Sequence, residues 1–149
     1  TEPTIQEAKP IEQSARKVES LGEDDALQSI LEGYSRHNSH FTKKQVSYVY
    51  QLSLDKKLDP KLVLAVMALE SGWGKSHYCK NKGNCFGYGY TDSGKVGNYE
   101  GDFYKVTEVV LSAYKRQGYG VGSPKLMASR GYNFHTSWVN KVNYIMDRL

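Results

Sequence analysis

The sequence predicts an α+β fold that is mostly helical, a single domain with one small β excursion. Three observations carry that prediction. Apolar residues recur at three- and four-residue spacing through most of the chain after Asp24, strict alternation is confined to one stretch around Gly87, and neither an internal repeat nor a second hydrophobic core is present. At 149 residues there is room for one core and one cleft.

Residues 1 to 22 are polar, contain Pro3 and Pro10 and lack apolar periodicity, so they read as an acidic N-terminal arm or linker ahead of a domain over residues 23 to 149. The first domain helix begins at Asp24, with Ala26, Leu27, Ile30, Leu31 and Tyr34 on one face, and is closed by Gly33 and the polar string Ser35 to Ser39. A second starts at Thr42, where Gln45 completes a capping box, and runs to about Leu54. The third is capped by Asp59, opened by Pro60 and apolar on every side from Leu62 to Leu69, the signature of a helix buried at the centre of a domain. Phe86, Tyr88 and Tyr90 then alternate, Thr91-Asp92-Ser93-Gly94 turns, and a return strand heads for Phe103, which predicts a small hairpin. Helices resume at about Val106 to Gln117, at Pro124 to Ser129 behind a Ser123 cap, and at Ser137 to Arg148 behind Thr136.

Charge is unevenly distributed. Residues 1 to 32 hold eight acids against three bases, while the remainder hold eight acids against seventeen bases, so the body is strongly basic although the chain is only +4. A basic body suits an anionic partner: nucleic acid, a membrane surface, or the teichoic acids and peptide carboxylates of a cell wall. No run of Lys and Arg is long enough to read as a nucleic-acid tail, and no apolar stretch approaches the ~20 residues a membrane helix needs, so no nucleic-acid partner and no membrane insertion are expected. The chain opens on Thr1 without the charged-then-apolar start of a signal peptide, as expected of a processed product or excised domain. Cys79 and Cys85 lie close together in a Gly- and Lys-rich loop, either as a disulfide in an oxidising compartment or as two free thiols. The four histidines, His37, His40, His77 and His135, show no paired metal spacing, and neither a Gly-x-Ser-x-Gly elbow nor a phosphate loop is present, so no metal or cofactor is expected.

The informative residue is Glu70, which ends the buried helix and is followed at once by Ser71-Gly72-Trp73-Gly74. Apolar surroundings and the negative end of the helix dipole both disfavour a carboxylate there, and Trp73 is placed to exclude water. A raised pKa is what a general acid for glycoside cleavage requires. Taken alone, Glu70 would mark only where a core helix reaches the surface; its surroundings say more. Leu58-Asp59-Pro60, then Ala65-Val66-Met67-Ala68-Leu69-Glu70-Ser71-Gly72-Trp73-Gly74-Lys75-Ser76, then Gly83-Asn84-Cys85-Phe86-Gly87-Tyr88, resemble the glucosaminidase family of peptidoglycan hydrolases, glycoside hydrolase family 73. Tyr90-Thr91-Asp92-Ser93 is similar to the Tyr-Asp-Ser turn of one branch, and Gly131-Tyr132-Asn133 with Trp138, Val142 and Ile145 resembles its closing segment. The likeness spans about residues 35 to 148; Gly83 and Cys85 depart from it, standing where Asn and Leu are common.

The resemblance implies a lysozyme-like helical domain with a small β-hairpin lobe flanking a cleft, and an enzyme without cofactor that cuts the β-1,4 bond after N-acetylglucosamine in peptidoglycan glycan strands. Glu70 is then the catalytic acid and Tyr132 the active-site tyrosine. A second carboxylate usually lies about 5 to 5.5 Å from the acid in retaining glycosidases and about 6.5 to 9.5 Å in inverting ones. Glu100 on the return strand ranks first for that role, Asp92 second, with Asp102 a further candidate; attack by the substrate's own N-acetyl group would make them dispensable. Trp73, Asn84, Phe86, Tyr88, Tyr90 and Tyr99 are the expected substrate-binding residues, the aromatic ones offering flat faces to sugar rings. The alternatives are a muramidase or lytic transglycosylase cutting after N-acetylmuramic acid, and a non-catalytic cell-wall-binding module. A monomer is expected, acting outside the cell, at the wall or in the periplasm, or carried on a virion.

Overall fold

The computed structural model describes residues 24–91, 94–95, 97 and 99–149, with backbone alone at 91, 94 and 95. The expected arm at residues 1 to 22 and the candidate acid Asp92 lie outside the described residues. Seven helices and one two-stranded ladder make up the described fold.

Helix α1 (Asp25–Arg36) starts where Asp24 accepts the Leu27 N–H at 3.0 Å. Leu27, Ile30, Gly33 and Tyr34 form its buried face, whereas Ala26, expected there, is exposed. Gly33 does not close the helix as expected but sits inside it. A Cβ at Gly33 would meet the Arg148 carbonyl oxygen at 2.8 Å, so the glycine lets the chain's C-terminal residues seat against α1. Ser29 Oγ donates to the Leu149 carbonyl there at 3.0 Å. Helix α2 (Lys43–Asp55) carries the predicted box, Thr42 Oγ1 accepting from Gln45 N–H at 3.0 Å and Gln45 Oε1 from Thr42 N–H at 2.9 Å.

Helix α3 (Pro60–Ser71) is the centre of the molecule. Asp59 caps it, Pro60 occupies the first turn, and Leu62 through Ala68 are entirely buried. It packs on α2 on one side and on α7 (Thr136–Met146) on the other, which explains why no face of it is polar. The exit is tight: Gly72, Trp73 and Gly74 all have positive φ, and Ser71 Oγ both donates to the Met67 carbonyl at 2.6 Å and accepts the Gly74 N–H at 2.9 Å. A bulky residue at positive φ is costly, and Trp73 is held there by flat stacking on His37 at 4.2 Å, an edge contact with Tyr34 and acceptance of the His40 N–H by its carbonyl.

The short helix α4 (His77–Lys82) stands where a loop was expected, begun by Ser76 accepting from Cys79 N–H. Beyond it the expected hairpin shrinks to β1 (Tyr90–Thr91) against β2 (Gly94–Lys95), antiparallel with Tyr90 opposite Lys95. Two residues per strand make no lobe. The alternation at Phe86 and Tyr88 belongs to a turn organised by the side chain of Asn84, not to a strand. Asp102, expected on the return strand, instead accepts N–H bonds from Tyr104 and Lys105 and so starts α5 (Phe103–Gln117) three residues earlier than expected. Ser123 caps α6 (Pro124–Ser129) as predicted, whereas α7 begins at Thr136 itself, behind His135, with no side-chain cap.

Candidate active site

Glu70 lies in the last turn of α3, half-buried, at the point where this buried helix meets α7. Trp138, one turn into α7 and buried, donates its Nε1–H to Glu70 Oε1 at 2.8 Å. Near the other oxygen passes Gly87, where a methyl group would come 3.8 Å from Oε2. Burial holds the Glu70 carboxyl above its ordinary value of 4.5, and the Trp138 N–H opposes this to a smaller extent by stabilising the charged form. The net direction favours a group still protonated where a free glutamate would have ionised.

Behind Glu70 stands a column of tyrosines. The Tyr132 ring lies 5.2 Å from the Trp138 ring, and its hydroxyl is hydrogen-bonded to that of the fully buried Tyr114 on α5. Burial first, then the charge of Glu70, pushes the Tyr132 phenol well above its ordinary range; Tyr114 is raised mainly by burial too. Both hydroxyls therefore stay protonated and can serve as donors. Tyr88 closes the column, half-buried, edge-on to Tyr99 at 5.0 Å and tilted against Tyr114 at 5.7 Å.

An open groove of ≈ 310 Å³ reaches Glu70, lined by Leu69, Asn133, His135, Ser137, Trp138 and Lys141 besides Glu70 itself. A larger hollow of ≈ 390 Å³ lies elsewhere, between Phe41, Phe103, Lys80 and the Cys79–Cys85 pair, and its described lining includes no carboxyl group. Of the two, the first alone has a carboxyl group in its described lining. Among the described residues no group of three His, Cys, Asp or Glu side chains could hold a metal ion.

Other residues singled out in the sequence take different places. The Trp73 ring, half-buried, stacks on His37 and makes a T-shaped contact with Tyr34 at the helix exit. The indole in direct contact with the Glu70 carboxyl is that of Trp138. Asn84 is buried and spends its side chain inside the loop, donating to the Tyr88 carbonyl at 2.8 Å and accepting the N–H groups of Phe86 and Tyr88. Phe86 is core, edge-on to Tyr114. Tyr90 stacks on Tyr78 at 4.1 Å and donates its hydroxyl to Glu100 Oε1 at 2.6 Å, a bond that pushes the Tyr90 phenol to about 12. Asp102 is a helix cap. Cys79 and Cys85 form a disulfide that ties α4 to the Asn84–Tyr88 turn.

Sequence reasoning missed the Trp138 bond, the Tyr114 support and the groove side chains Asn133, His135, Ser137 and Lys141. Helical spacing puts Trp138, Val142 and Ile145 on one buried face, and the resemblance marks the same segment, but neither names their partner.

A family model, Glucosaminidase, described as mannosyl-glycoprotein endo-beta-N-acetylglucosaminidase, matches residues 46–149, a span that includes Glu70, Tyr132 and Trp138. No curated protein and no solved structure matches the chain.

Proposed function

This chain belongs to the glucosaminidase family and is a glycoside hydrolase acting on peptidoglycan, and from that premise we propose that it cuts the β-1,4 bond after N-acetylglucosamine with Glu70 as the general acid. One observation carries the reading: a carboxyl group kept towards its protonated form by burial, tethered through one oxygen, and open to a groove. A positioned acid of this kind contributes about 10²- to 10⁴-fold to the rate.

The Glu70 proton passes to the glycosidic oxygen as its bond to C1 breaks, and the leaving sugar departs as an alcohol. For the electron-poor C1, the carbonyl oxygen of the substrate's own 2-acetamido group supplies the electron pair, closing a five-membered ring. Water then opens that ring and loses its proton to the Glu70 carboxylate, which restores the acid and retains the anomeric configuration. Two observations support this over Glu100 or Asp102 as the second group: neither is in the described groove lining, and they are engaged with Tyr90 and with the start of α5. The Tyr132 hydroxyl, raised and protonated, steadies the reacting sugar as a donor.

We assign catalysis to residues 23–149, with residues 1–22 as an appended arm, and place its action outside the cytoplasm, where the disulfide persists. No described helix is long and apolar enough to cross a membrane. The test is digestion of purified sacculi, reduction of the fragments and identification of their reducing ends by mass. Reduced N-acetylglucosamine is expected; reduced muramic acid or an anhydro sugar would refute the bond assignment.

A further inference from the structure

We infer that the groove beside Glu70 is a subsite for a carboxylate carried on the leaving sugar, with Lys141 as the residue that selects it. The inference rests on Glu70 being the acid and adds what the enzyme demands of its substrate. Ser137, Trp138 and Lys141 all line the groove, at spacings that put them on one face of α7. Trp138 holds Glu70, and Lys141 follows it by three residues, about 4.5 Å further along the helix axis. Lys141 therefore lines the same groove as the acid, one helical turn beyond the residue that tethers it.

Nothing among the described residues neutralises the Lys141 ammonium. Lys56 pairs with Glu108 at 3.2 Å, but Lys141 is exposed and has no ion-pair or hydrogen-bond partner among them. The described lining sets the full positive charge of Lys141 against no acid other than Glu70, whose Oε1 is already taken by the Trp138 N–H. Asn133 contributes a second donor: its side-chain oxygen accepts the His135 N–H at 2.9 Å, which leaves its NH₂ available to a ligand oxygen.

The substrate's chemistry supplies the matching group. Glu70 protonates the oxygen on C4 of the leaving muramic acid, and the adjacent C3 bears a lactyl ether ending in a carboxyl group. Where the peptide stem is absent, that carboxyl is itself the anion; where it is present, the stem supplies carboxylates a few bonds further on. A charge-assisted bond from Lys141 to either would separate muramyl glycans from neutral chitin-like chains.

The test uses the full chain carrying Glu70→Gln, so that ligands are bound and not cut, and measures affinity for three tetrasaccharides. These are an all-N-acetylglucosamine chain, a muramyl chain with free lactyl carboxylates, and the same chain with peptide stems. We expect the carboxylate-bearing chains to bind about tenfold tighter than the neutral one, the ratio to vanish in Lys141→Gln and to persist in Lys141→Arg. Which muramyl chain shows the larger ratio identifies the carboxylate. Equal affinity for neutral and anionic chains, a preference that survives Lys141→Gln, or no binding of any chain would overturn the inference. Turnover of sacculi by Glu70→Gln would refute the acid assignment without touching the binding ratio, so the two failures are distinguishable.

Discussion

Replacing Trp138 by Phe removes the hydrogen bond that opposes the effect of burial on Glu70 while leaving most of the ring in place. A hydrogen bond to an ionised group contributes about 1.5 to 3 kcal/mol, and here it favours the carboxylate over the acid. Without it the ratio of acid to carboxylate at Glu70 at a given pH rises by about tenfold or more. Since the acid form performs the protonation, activity is present below the Glu70 pKa and lost as pH rises through it. The alkaline limb of kcat/KM should therefore move to higher pH in Trp138→Phe, with a relative rate on that limb about tenfold higher than in the parent. The plateau itself should fall, because the carboxyl loses its tether. Trp138 is 5 % exposed, so the smaller ring also leaves a void costing about 1 to 2 kcal/mol in urea unfolding. A full pH profile of both proteins on solubilised glycan is the assay. An alkaline limb that stays put, or moves to lower pH, would refute the assignment of the Trp138 bond as a brake on the Glu70 acid.

Glu100→Gln should lower activity by less than about tenfold, against the 10²- to 10⁴-fold expected for losing the acid; ultraviolet titration should show the Tyr90 phenol falling from about 12 towards 10 as its partner loses charge. At Gly83, which ends α4 with φ near +69°, an added Cβ would meet the Gly101 carbonyl oxygen at 2.0 Å. Gly83→Ala should thus destabilise by about 2 to 4 kcal/mol in urea unfolding, the sum of a left-handed backbone penalty and a backbone clash. A carboxyl raised by folding binds its proton more tightly in the native state, so its contribution to stability falls as pH rises from 4.5 through the folded value. The neutral variant Glu70→Gln should accordingly have a higher Tm than the parent at pH 7, with the gap closing at acid pH.

Central parts of this fold are legible because their signals are local and agree with one another. The Asp59 cap, Pro60, an unbroken apolar run and the Gly72 that follows all state a buried helix, and the expected end at Glu70 falls one residue short of where α3 ends. The capping box at Thr42 and Gln45 is equally self-contained. Misreadings arose where one pattern has two physical sources. Alternating aromatics suit a half-buried strand, and Tyr90 does lie in β1, but at Phe86 and Tyr88 the alternation arises in a turn whose polar bonds are made by a buried Asn84 side chain. Asp102 was weighed as a cleft acid on a strand, yet an Asp directly before an apolar helical pattern satisfies orphan N–H groups first. What no local pattern encodes is the meeting of Glu70 with Trp138, 68 residues apart, or the burial of Tyr114 beneath Tyr132. Those depend on α3 packing against α7 and α5 closing over the turn.

The most direct measurement is the rate at which parent and Glu70→Gln release soluble glycan from purified sacculi, with binding to the same sacculi followed in parallel. We expect Glu70→Gln to bind as well as the parent while its release rate falls by at least about 10²-fold, because only the proton donor has been removed. Release at the parental rate would contradict the assignment of the catalytic acid and, with it, the mechanism built upon that group.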